Sequence, residues 1–305
     1  MKKQGFLFCS DLHLRATTPR ARIDEFETSM WSKVEEILDF ADEEHLTPVI
    51  AGDIFEVPKS PYWITNRLMH LIGNREVYAT AGQHDLPNHL WANLEQSALG
   101  NMQAAGFFKG MIGSHYLQEQ DTALHFYPWG STLGSLPEDY KSQAKYHVAI
   151  CHQLTYQGTT NMKGASKASS MLRKMAGFDL VVIGDNHKAF IEEDDGRYLI
   201  SPGSMMRSSA DQMDHVPGFW LWEPGEEPER CEFDCMLPAE EVLTREHIEK
   251  DKERKDRLDS FVATVNTEYA LEICFESNLQ EHLAANEVSK DVRTIIQECV
   301  EGDDQ

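Results

Sequence analysis

Five short groups of polar residues, each at the end of an apolar run, could together bind metal ions. The groups are Asp11-Leu-His13, Gly52-Asp53, Gly82-Gln83-His84-Asp85, His152 and Gly184-Asp185-Asn186-His187. Carboxylate oxygens combined with imidazole nitrogens suit Mn²⁺, Fe²⁺ or Zn²⁺. Two such ions about 3.5–4 Å apart form a recurring centre for phosphoester cleavage, because they activate water and neutralise the charge of the phosphoryl group. A carboxylate must bridge ions that lie so close together, and we assign Asp53 to that position.

Each of these residues also has an ordinary explanation. A lone Asp or His at the end of a strand is more often a solvated or hydrogen-bonded residue than a metal ligand. Five groups in order, each directly after an apolar run, reverse that preference. We therefore treat them as one candidate site.

The apolar runs that precede these groups predict strands of an α/β fold. Strand-like runs cover residues 5–10, 48–52, 76–82, 147–152 and 180–184, and several are apolar throughout, as is typical of strands buried on both faces. Helical spacing of apolar residues predicts helices over residues 24–45, 64–72, 90–105 and 169–175. This alternation predicts an α/β sandwich. In an open α/β sheet, ligands collect beyond the carboxyl ends of the strands, so we expect the five groups to meet there.

A second region is predicted after residue 223, where the composition changes. The segment 223–230 is rich in Pro, Gly and Glu and is typical of a turn or linker. Beyond it we expect a charged helix over residues 239–257, a strand over 270–275 and a last helix that begins after Ser289.

The net charge and the hydropathy of the chain argue against several classes of protein. The 28 basic and 51 acidic residues give 28 − 51 = −23, which argues against a protein that coats DNA or an anionic membrane by bulk attraction. No apolar run approaches the roughly 20 residues that span a bilayer. The six cysteines are scattered, apart from the pair Cys231 and Cys235, and we interpret them as reduced thiols. We expect a cytoplasmic protein with no membrane partner.

The order of the five groups resembles the calcineurin-like metallophosphoesterases, whose pattern is D-x-H, G-D-x-x-D, G-N-H-D, a lone H and G-H-x-H. Ser201-Pro-Gly-Ser204, Arg207 and the segment 217–223 look like the region that follows the last motif in SbcD-type repair nucleases and phage recombination nucleases. The resemblance covers residues 1–223. It implies a four-layer-like α/β sandwich as the nuclease domain, with 224–305 as a small α+β segment: a remnant of a cap that binds a partner.

The resemblance also implies roles for individual residues. One ion would take Asp11, His13, Asp53 and His187, and the other would take Asp53, Gln83, His152 and Asp185. His84 would contact the phosphate and protonate the leaving oxygen, while Asp85 would orient its ring.

This sequence departs from the family pattern at three positions. Gln83 stands where the family has Asn, Asp185 where it has His, and Glu56 where it has Asp. The anionic oxygen of Asp185 makes the second site harder, which favours two Mn²⁺ ions, with Mg²⁺ as the alternative. We expect Glu56 to support the site.

Contacts to the substrate are predicted from three basic residues. Arg207 could contact a phosphate or form a structural ion pair, and Lys163 and Lys167 could follow a DNA backbone or belong to a solvated helix face.

The resemblance implies a two-metal DNA exo- and endonuclease that works as a dimer with a coiled-coil ATPase of the SbcC type. A stand-alone phosphatase or small-molecule phosphodiesterase is the alternative that the acidic charge favours. A non-enzymatic scaffold is a third possibility, which only the departures at Gln83 and Asp185 favour.

Overall fold

The computed structural model describes residues 5–159, 164–246, 255, 257–258, 279, 282–284 and 289–301. The chain forms two compact units, Met1–Thr244 and Arg245–Gln305. Among the described residues, no helix is long and apolar enough to cross a membrane.

The first sheet has six strands, which are numbered along the chain. They are β1 (Gly5–Cys9), β2 (Leu46–Ala51), β3 (Val77–Thr80), β4 (Phe108–Met111), β13 (Gly218–Trp222) and β14 (Glu229–Glu232). Their order in the sheet is β14-β13-β1-β2-β3-β4. Strands β1 to β4 run parallel, whereas β13 and β14 are antiparallel to their neighbours. The carboxyl ends of β1, β2 and β3 therefore lie at one edge of this sheet.

The second sheet also has six strands. They are β5 (Gly113–Leu117), β6 (Thr122–Tyr127), β7 (Tyr146–His152), β10 (Leu180–Gly184), β11 (Phe190–Asp194) and β12 (Arg197–Ser201). Their order is β11-β12-β10-β7-β6-β5. The central strands β6, β7, β10 and β12 are parallel, and the two edge strands are antiparallel. A short parallel ribbon joins β8 (Thr155–Tyr156) to β9 (Ser166–Lys167).

The sheets pack face to face, and helices cover their outer faces. Along β1, Phe6 and Phe8 pack between the sheets against residues of β7 and β10 such as Ile150 and Val182, whereas Leu7 faces the helices. This alternation follows from the two-residue period of a strand. The outer helices are α1 (Phe26–Glu43), α2 (Tyr62–Ile72) and α3 (Ala98–Ala104) on the first sheet, and α4 (Ala168–Lys174) on the second. The predicted four-layer α/β sandwich is confirmed.

One predicted helix is divided in two. The pattern over residues 90–105 predicts a single helix, but the chain forms a 3₁₀ helix over Trp91–Gln96 and then α3. Ser97 stands between them in an extended conformation, and its Oγ accepts a hydrogen bond from the backbone N–H of Gly100 at 3.0 Å. A serine that caps the first turn of a helix starts a new helix there.

The first compact unit continues past residue 223. Strand β14 pairs with β13, and Phe233 is buried in the core cluster under the helices, so the unit extends to Thr244. The region predicted as one charged helix is interrupted: the short α5 (Ala239–Val242) ends at Leu243, which is extended, while Glu246, Lys255 and Arg257 are again helical. The predicted strand at 270–275 lies outside the described residues. The last helix is confirmed as α6 (Lys290–Glu301), and its role in binding a partner stays a prediction.

Candidate metal centre

The five polar groups lie at the ends of strands from two sheets. Asp11, Asp53 and Gln83 follow β1, β2 and β3, whereas His152 ends β7 and Asp185 follows β10. The five groups therefore come from both sheets of the sandwich. The groups meet because the parallel strands of both sheets end at the same edge of the sandwich, where β2 lies against β7 and β10.

The loops after β1 and β2 hold their ligands in an uncommon backbone conformation. Asp11, His13 and Asp53 have φ angles of 51°, 46° and 50°. Non-glycine residues in this left-handed region are uncommon and concentrate at functional sites. The N–H groups of Asp11 and His13 donate to the carbonyls of Gly52 and Asp53, both at 3.0 Å. Each loop therefore holds the other in place.

The residues expected at the first ion lie together. The Nε2 atom of His13 is 3.9 Å from Asp11 Oδ1, 3.8 Å from Asp53 Oδ2 and 3.2 Å from His187 Nε2. Ligand atoms of Asp11, His13 and His187 all lie within 4.8 Å of one another, as do those of His13, Asp53 and His84. Asp11 and Asp53 are almost completely buried, at 0% and 1% exposed.

His152 faces Asp53 from the second sheet. Its Nδ1–H donates to the Ala51 carbonyl at 2.7 Å, which turns Nε2 toward Asp53, 3.3 Å from Oδ2. The other carboxylate oxygen, Asp53 Oδ1, accepts the backbone N–H of His84 at 2.8 Å. The loop after β3 therefore fixes Asp53 through Oδ1, while Oδ2 faces the imidazole rings.

Gln83 and Asp185, two of the departures from the family pattern, contact each other. The Nε2 amide of Gln83 donates to Asp185 Oδ1 at 2.7 Å. The backbone N–H of Asp185 donates to both carboxylate oxygens of Asp11 at 3.2 Å. These bonds connect the two predicted ion positions and leave Gln83 Oε1 without a hydrogen-bond partner.

Three buried ligand atoms, Asp53 Oδ2, Gln83 Oε1 and His152 Nε2, lack a hydrogen bond. A polar atom buried without a partner is costly, and coordination to a cation would satisfy each of these atoms. Oxygen and imidazole donors in this mixture suit a divalent ion of the manganese type. The residues therefore fit the two ions that the sequence predicts.

The same carboxylate changes the protonation of its neighbours. Burial alone lowers the pKa of His152, but the charge of Asp53 outweighs it and raises that pKa to about 10. Burial alone raises the pKa of Asp53, but the charge of His152 and the other imidazoles lowers it to about 2. Because a histidine ligates only when neutral, coordination of a metal ion by His152 would require the loss of a proton.

Glu56 supports the centre from outside. Its Oε2 lies 3.0 Å from His13 Nδ1, and its Oε1 accepts a hydrogen bond from Arg15 at 3.1 Å. A carboxylate on the far nitrogen of a ligating imidazole fixes the ring and raises its basicity. This position of Glu56 fits the supporting role that we expect for it.

The predicted pairing of Asp85 with His84 is wrong. Asp85 is completely buried, and its carboxylate accepts the backbone N–H groups of Ile54, Phe55 and Gly82. The His84 ring instead has Nδ1 2.9 Å from the Glu56 carbonyl. Three backbone donors occupy the Asp85 carboxylate, so it holds the loops after β2 and β3 together. His84 remains next to His13, with ring centroids 4.9 Å apart.

The Ser201–Ser204 segment also supports the centre. Ser10 Oγ donates to the Gly203 carbonyl at 3.2 Å, and the N–H groups of Ser204 and Met205 donate to the carbonyls of His187 and Asp11. Gly203 has a φ of +77°, and a Cβ there would meet the backbone N of Ala189 at 2.8 Å. The segment therefore needs glycine in order to hold both metal-binding loops. Ser10 was missed in the sequence, since a serine after a strand carries no distinctive signal.

The expected substrate contact of Arg207 is wrong. Its side chain is buried, and its guanidinium donates to the carbonyls of His215 and Leu237 at 2.7 and 2.8 Å. These bonds hold the chain that follows the Ser201–Ser204 segment. Lys167 is exposed at the end of β9, and its contact with DNA stays a prediction. Lys163 lies outside the described residues.

Comparison with known proteins shows which family the chain belongs to. The family described as calcineurin-like phosphoesterase matches residues 5–189, which is more than half of the chain. The fold is similar to TT1561 of Thermus thermophilus, with 11% identity, a TM-score of 0.47 and coverage of 75% of this chain and 98% of the other. An archaeal phosphodiesterase matches with 14% identity, a TM-score of 0.40 and coverage of 75% and 99%. A dimetal phosphatase from Danio rerio matches with 10% identity, a TM-score of 0.47 and coverage of 77% and 100%.

Comparison with curated protein sequences finds no match. The family match includes every metal-binding group in order, from Asp11 to His187. The chain therefore belongs to the calcineurin-like phosphoesterases, a family that hydrolyses phosphoesters at a centre of two divalent metal ions.

Proposed function

We propose that this phosphoesterase is a two-metal DNA nuclease and the nuclease subunit of a repair or recombination complex. The observation that carries the proposal is the Ser201–Ser204 segment, which resembles the nuclease branch. In this chain the segment is bonded to both the Asp11 and the His187 loops. The segment is therefore part of the structure that holds the two metal-binding loops.

The residues of the centre divide the work of hydrolysis. Two divalent ions would supply a nucleophile from water and neutralise the phosphoryl charge. Asp11, His13, Asp53 and His187 would hold one ion, and Asp53, Gln83, His152 and Asp185 the other. His84 would contact the phosphate and give its proton to the leaving oxygen. The Glu56 carbonyl holds the ring by Nδ1, so that Nε2 is the atom available for this transfer.

The net charge of −23 makes a partner part of the proposal. Free DNA is repelled by an acidic surface, and only the metal-loaded centre would attract a phosphodiester. A coiled-coil ATPase that presents the DNA would remove this difficulty. The region after residue 223 is the proposed attachment, and a homodimer is the expected assembly.

The test is cleavage of linear and hairpin DNA in the presence of Mn²⁺, with and without a coiled-coil ATPase of the SbcC type. We expect cleavage that chelation abolishes and that the ATPase accelerates. The Asp53→Ala variant is the control for a contaminating nuclease. If the metal-loaded chain cleaves a small phosphodiester but leaves every DNA substrate intact, even with the ATPase, the nuclease proposal fails.

A second candidate is a phosphatase or small-molecule phosphodiesterase that acts alone, and the acidic charge favours it. Rates on bis(p-nitrophenyl) phosphate, p-nitrophenyl phosphate and DNA separate the possibilities. A chain that prefers the monoester is a phosphatase. A fully loaded chain that cleaves none of them is a scaffold.

A further inference from the structure

A cavity of about 640 Å³ opens beside the metal centre. Two of the predicted ligands, Asp185 and His187, form part of its wall, and the segments 186–191 and 209–216 form most of the rest. The volume lies within the range of about 300–1,000 Å³ that is typical of pockets for small organic ligands. A phosphate held at the centre would therefore have one of its ester groups next to this space.

One side of the cavity is apolar and aromatic. It is lined by Phe190, Ile191, Val216 and Trp220. Phe190 is half-buried on the edge strand β11. The Trp220 indole donates its Nε1–H to the Ser201 carbonyl at 3.2 Å, which fixes the ring. Because the Trp220 ring is already fixed, a planar aromatic ligand can stack on this wall without restricting its side chains further.

The polar side of the cavity carries carboxylates. Asp211 and Asp214 line it, and Asp211 accepts a hydrogen bond from Ser209 Oγ at 2.5 Å. Lys188 is an exposed cation on this wall. Arg230 also lines the cavity, but it donates to the Val216 carbonyl and lies 4.0 Å from Glu232. The carboxylates favour hydroxyl and amino donors and disfavour a second phosphate.

We propose that this cavity binds the terminal nucleoside of a DNA strand, attached to the scissile phosphate and carrying a free hydroxyl, an inference that rests on the proposed function. The base stacks on the Phe190 side, and the sugar hydroxyl or a base amino group donates to Asp211 or Asp214. A nucleoside combines the features that the cavity selects: an aromatic plane, hydrogen-bond donors and no charge of its own.

The test compares diesters that share one leaving group. Thymidine 5′-(p-nitrophenyl phosphate) and its 3′ isomer carry a nucleoside, whereas methyl p-nitrophenyl phosphate carries a methyl group in its place. In each reaction water adds to phosphorus, the bond to the p-nitrophenolate oxygen breaks, and a phosphate monoester remains. The coloured product is therefore the same, and a difference in KM reports the nucleoside alone.

The variants are Phe190→Ala, Phe190→Leu and Asp214→Asn, and Tyr116→Ala is the matched control. Tyr116 is half-exposed on β5, the opposite edge of the sheet that ends with β11. Base stacking on one aromatic side chain changes affinity by about tenfold or more. We expect Phe190→Ala to raise the KM for one or both thymidine esters about tenfold and to leave the methyl ester unchanged.

Phe190→Leu keeps the packing of β11 while removing the aromatic plane, so it covers the case in which the alanine variant unfolds. Asp214→Asn should raise the KM of the thymidine esters without a change in melting temperature. Equal KM values for thymidine and methyl esters in the parent chain, or equal changes in both, overturn the nucleoside pocket but leave the phosphodiesterase intact. Absence of hydrolysis of every diester removes the proposed function itself.

Discussion

At the metal centre His13 and His152 lie beside buried carboxylates, whereas on the second sheet His125 and His147 lie beside each other. The His125 ring has Nε2 3.1 Å from His147 Nδ1 and Nδ1 2.8 Å from Ser114 Oγ. Phe178 packs edge-on against it, with ring centroids 5.3 Å apart. Both places bury histidines, but their surroundings give these rings opposite properties.

The difference is visible in the pKa values. Burial, with the nearby His147 as a smaller cause, lowers the pKa of His125 to about 4. At His152 the charge of Asp53 outweighs the same effect of burial and raises the pKa to about 10. Of the described residues, the groups of three potential ligands that lie close enough for one ion are all at the centre. Buried carboxylates therefore distinguish a metal centre from a histidine core.

Asp53→Ala removes the carboxylate on which this contrast depends and should have the largest effect. Because Asp53 is assigned to both ions, we expect no tight Mn²⁺ binding and activity at background. Loss of a supporting group alone costs about 10–100-fold, so loss of the bridge costs more. Isothermal titration with Mn²⁺ checks the binding, and Asp39→Ala at the surface of α1 is the control. Two sites still present in the Asp53→Ala variant would refute the bridge.

His84→Ala should separate chemistry from metal binding. The variant should keep the fold and both ions but lose about 10²–10⁴-fold in kcat on DNA, because general acid catalysis is worth roughly that much. A substrate with p-nitrophenolate as leaving group needs less protonation and should lose less. The neighbouring His89, whose Nδ1 lies 3.0 Å from the Gln83 carbonyl, supplies the control variant His89→Ala. Equal losses on both substrates would contradict the acid role.

Glu56→Gln should weaken the first ion without removing it. The amide loses the charge that lies 3.0 Å from His13 Nδ1, so we expect Mn²⁺ affinity to fall about 10–100-fold. Titration of the metal-free protein measures the change. The matched control is Glu36→Gln, since the Glu36 carboxylate accepts the backbone N–H groups of Asp234 and Cys235, away from the centre. An unchanged affinity in Glu56→Gln would show that His13 needs no support.

His125→Phe tests the other half of the comparison and should leave activity at neutral pH unchanged. The unfolded chain binds a proton at His125 below pH 6.5, while the folded chain does so only near pH 4. The free energy of unfolding must therefore fall as the pH drops through this window, by up to about 2 kcal/mol between pH 6.5 and 5. Urea unfolding of metal-free protein should show a smaller pH-dependent loss in the variant. An identical loss in both proteins would rule out a contribution from His125.

Local patterns in the sequence were sufficient for most elements and for the candidate ligands. The run at 180–184 is apolar throughout and becomes β10 with the same bounds, because a strand buried on both faces has no polar positions. Asp11, His13, Asp53 and His152 could be selected because each ends or follows such a run. Their types and order also carry the family, since the chemistry of two ions needs those side chains in those loops.

The tertiary structure decided how these pieces meet. Whether β7 and β10 join the sheet of β1 or form a second one depends on pairings between distant strands, which local patterns do not encode. The same is true of Asp85 and Arg207, whose charged groups turn to backbone atoms because burial requires every donor and acceptor nearby to be satisfied. The cavity beside His187 likewise exists only where segments 186–191 and 209–216 come together. The residue types thus determined which chemistry is available, and long-range packing determined which side chains face the substrate.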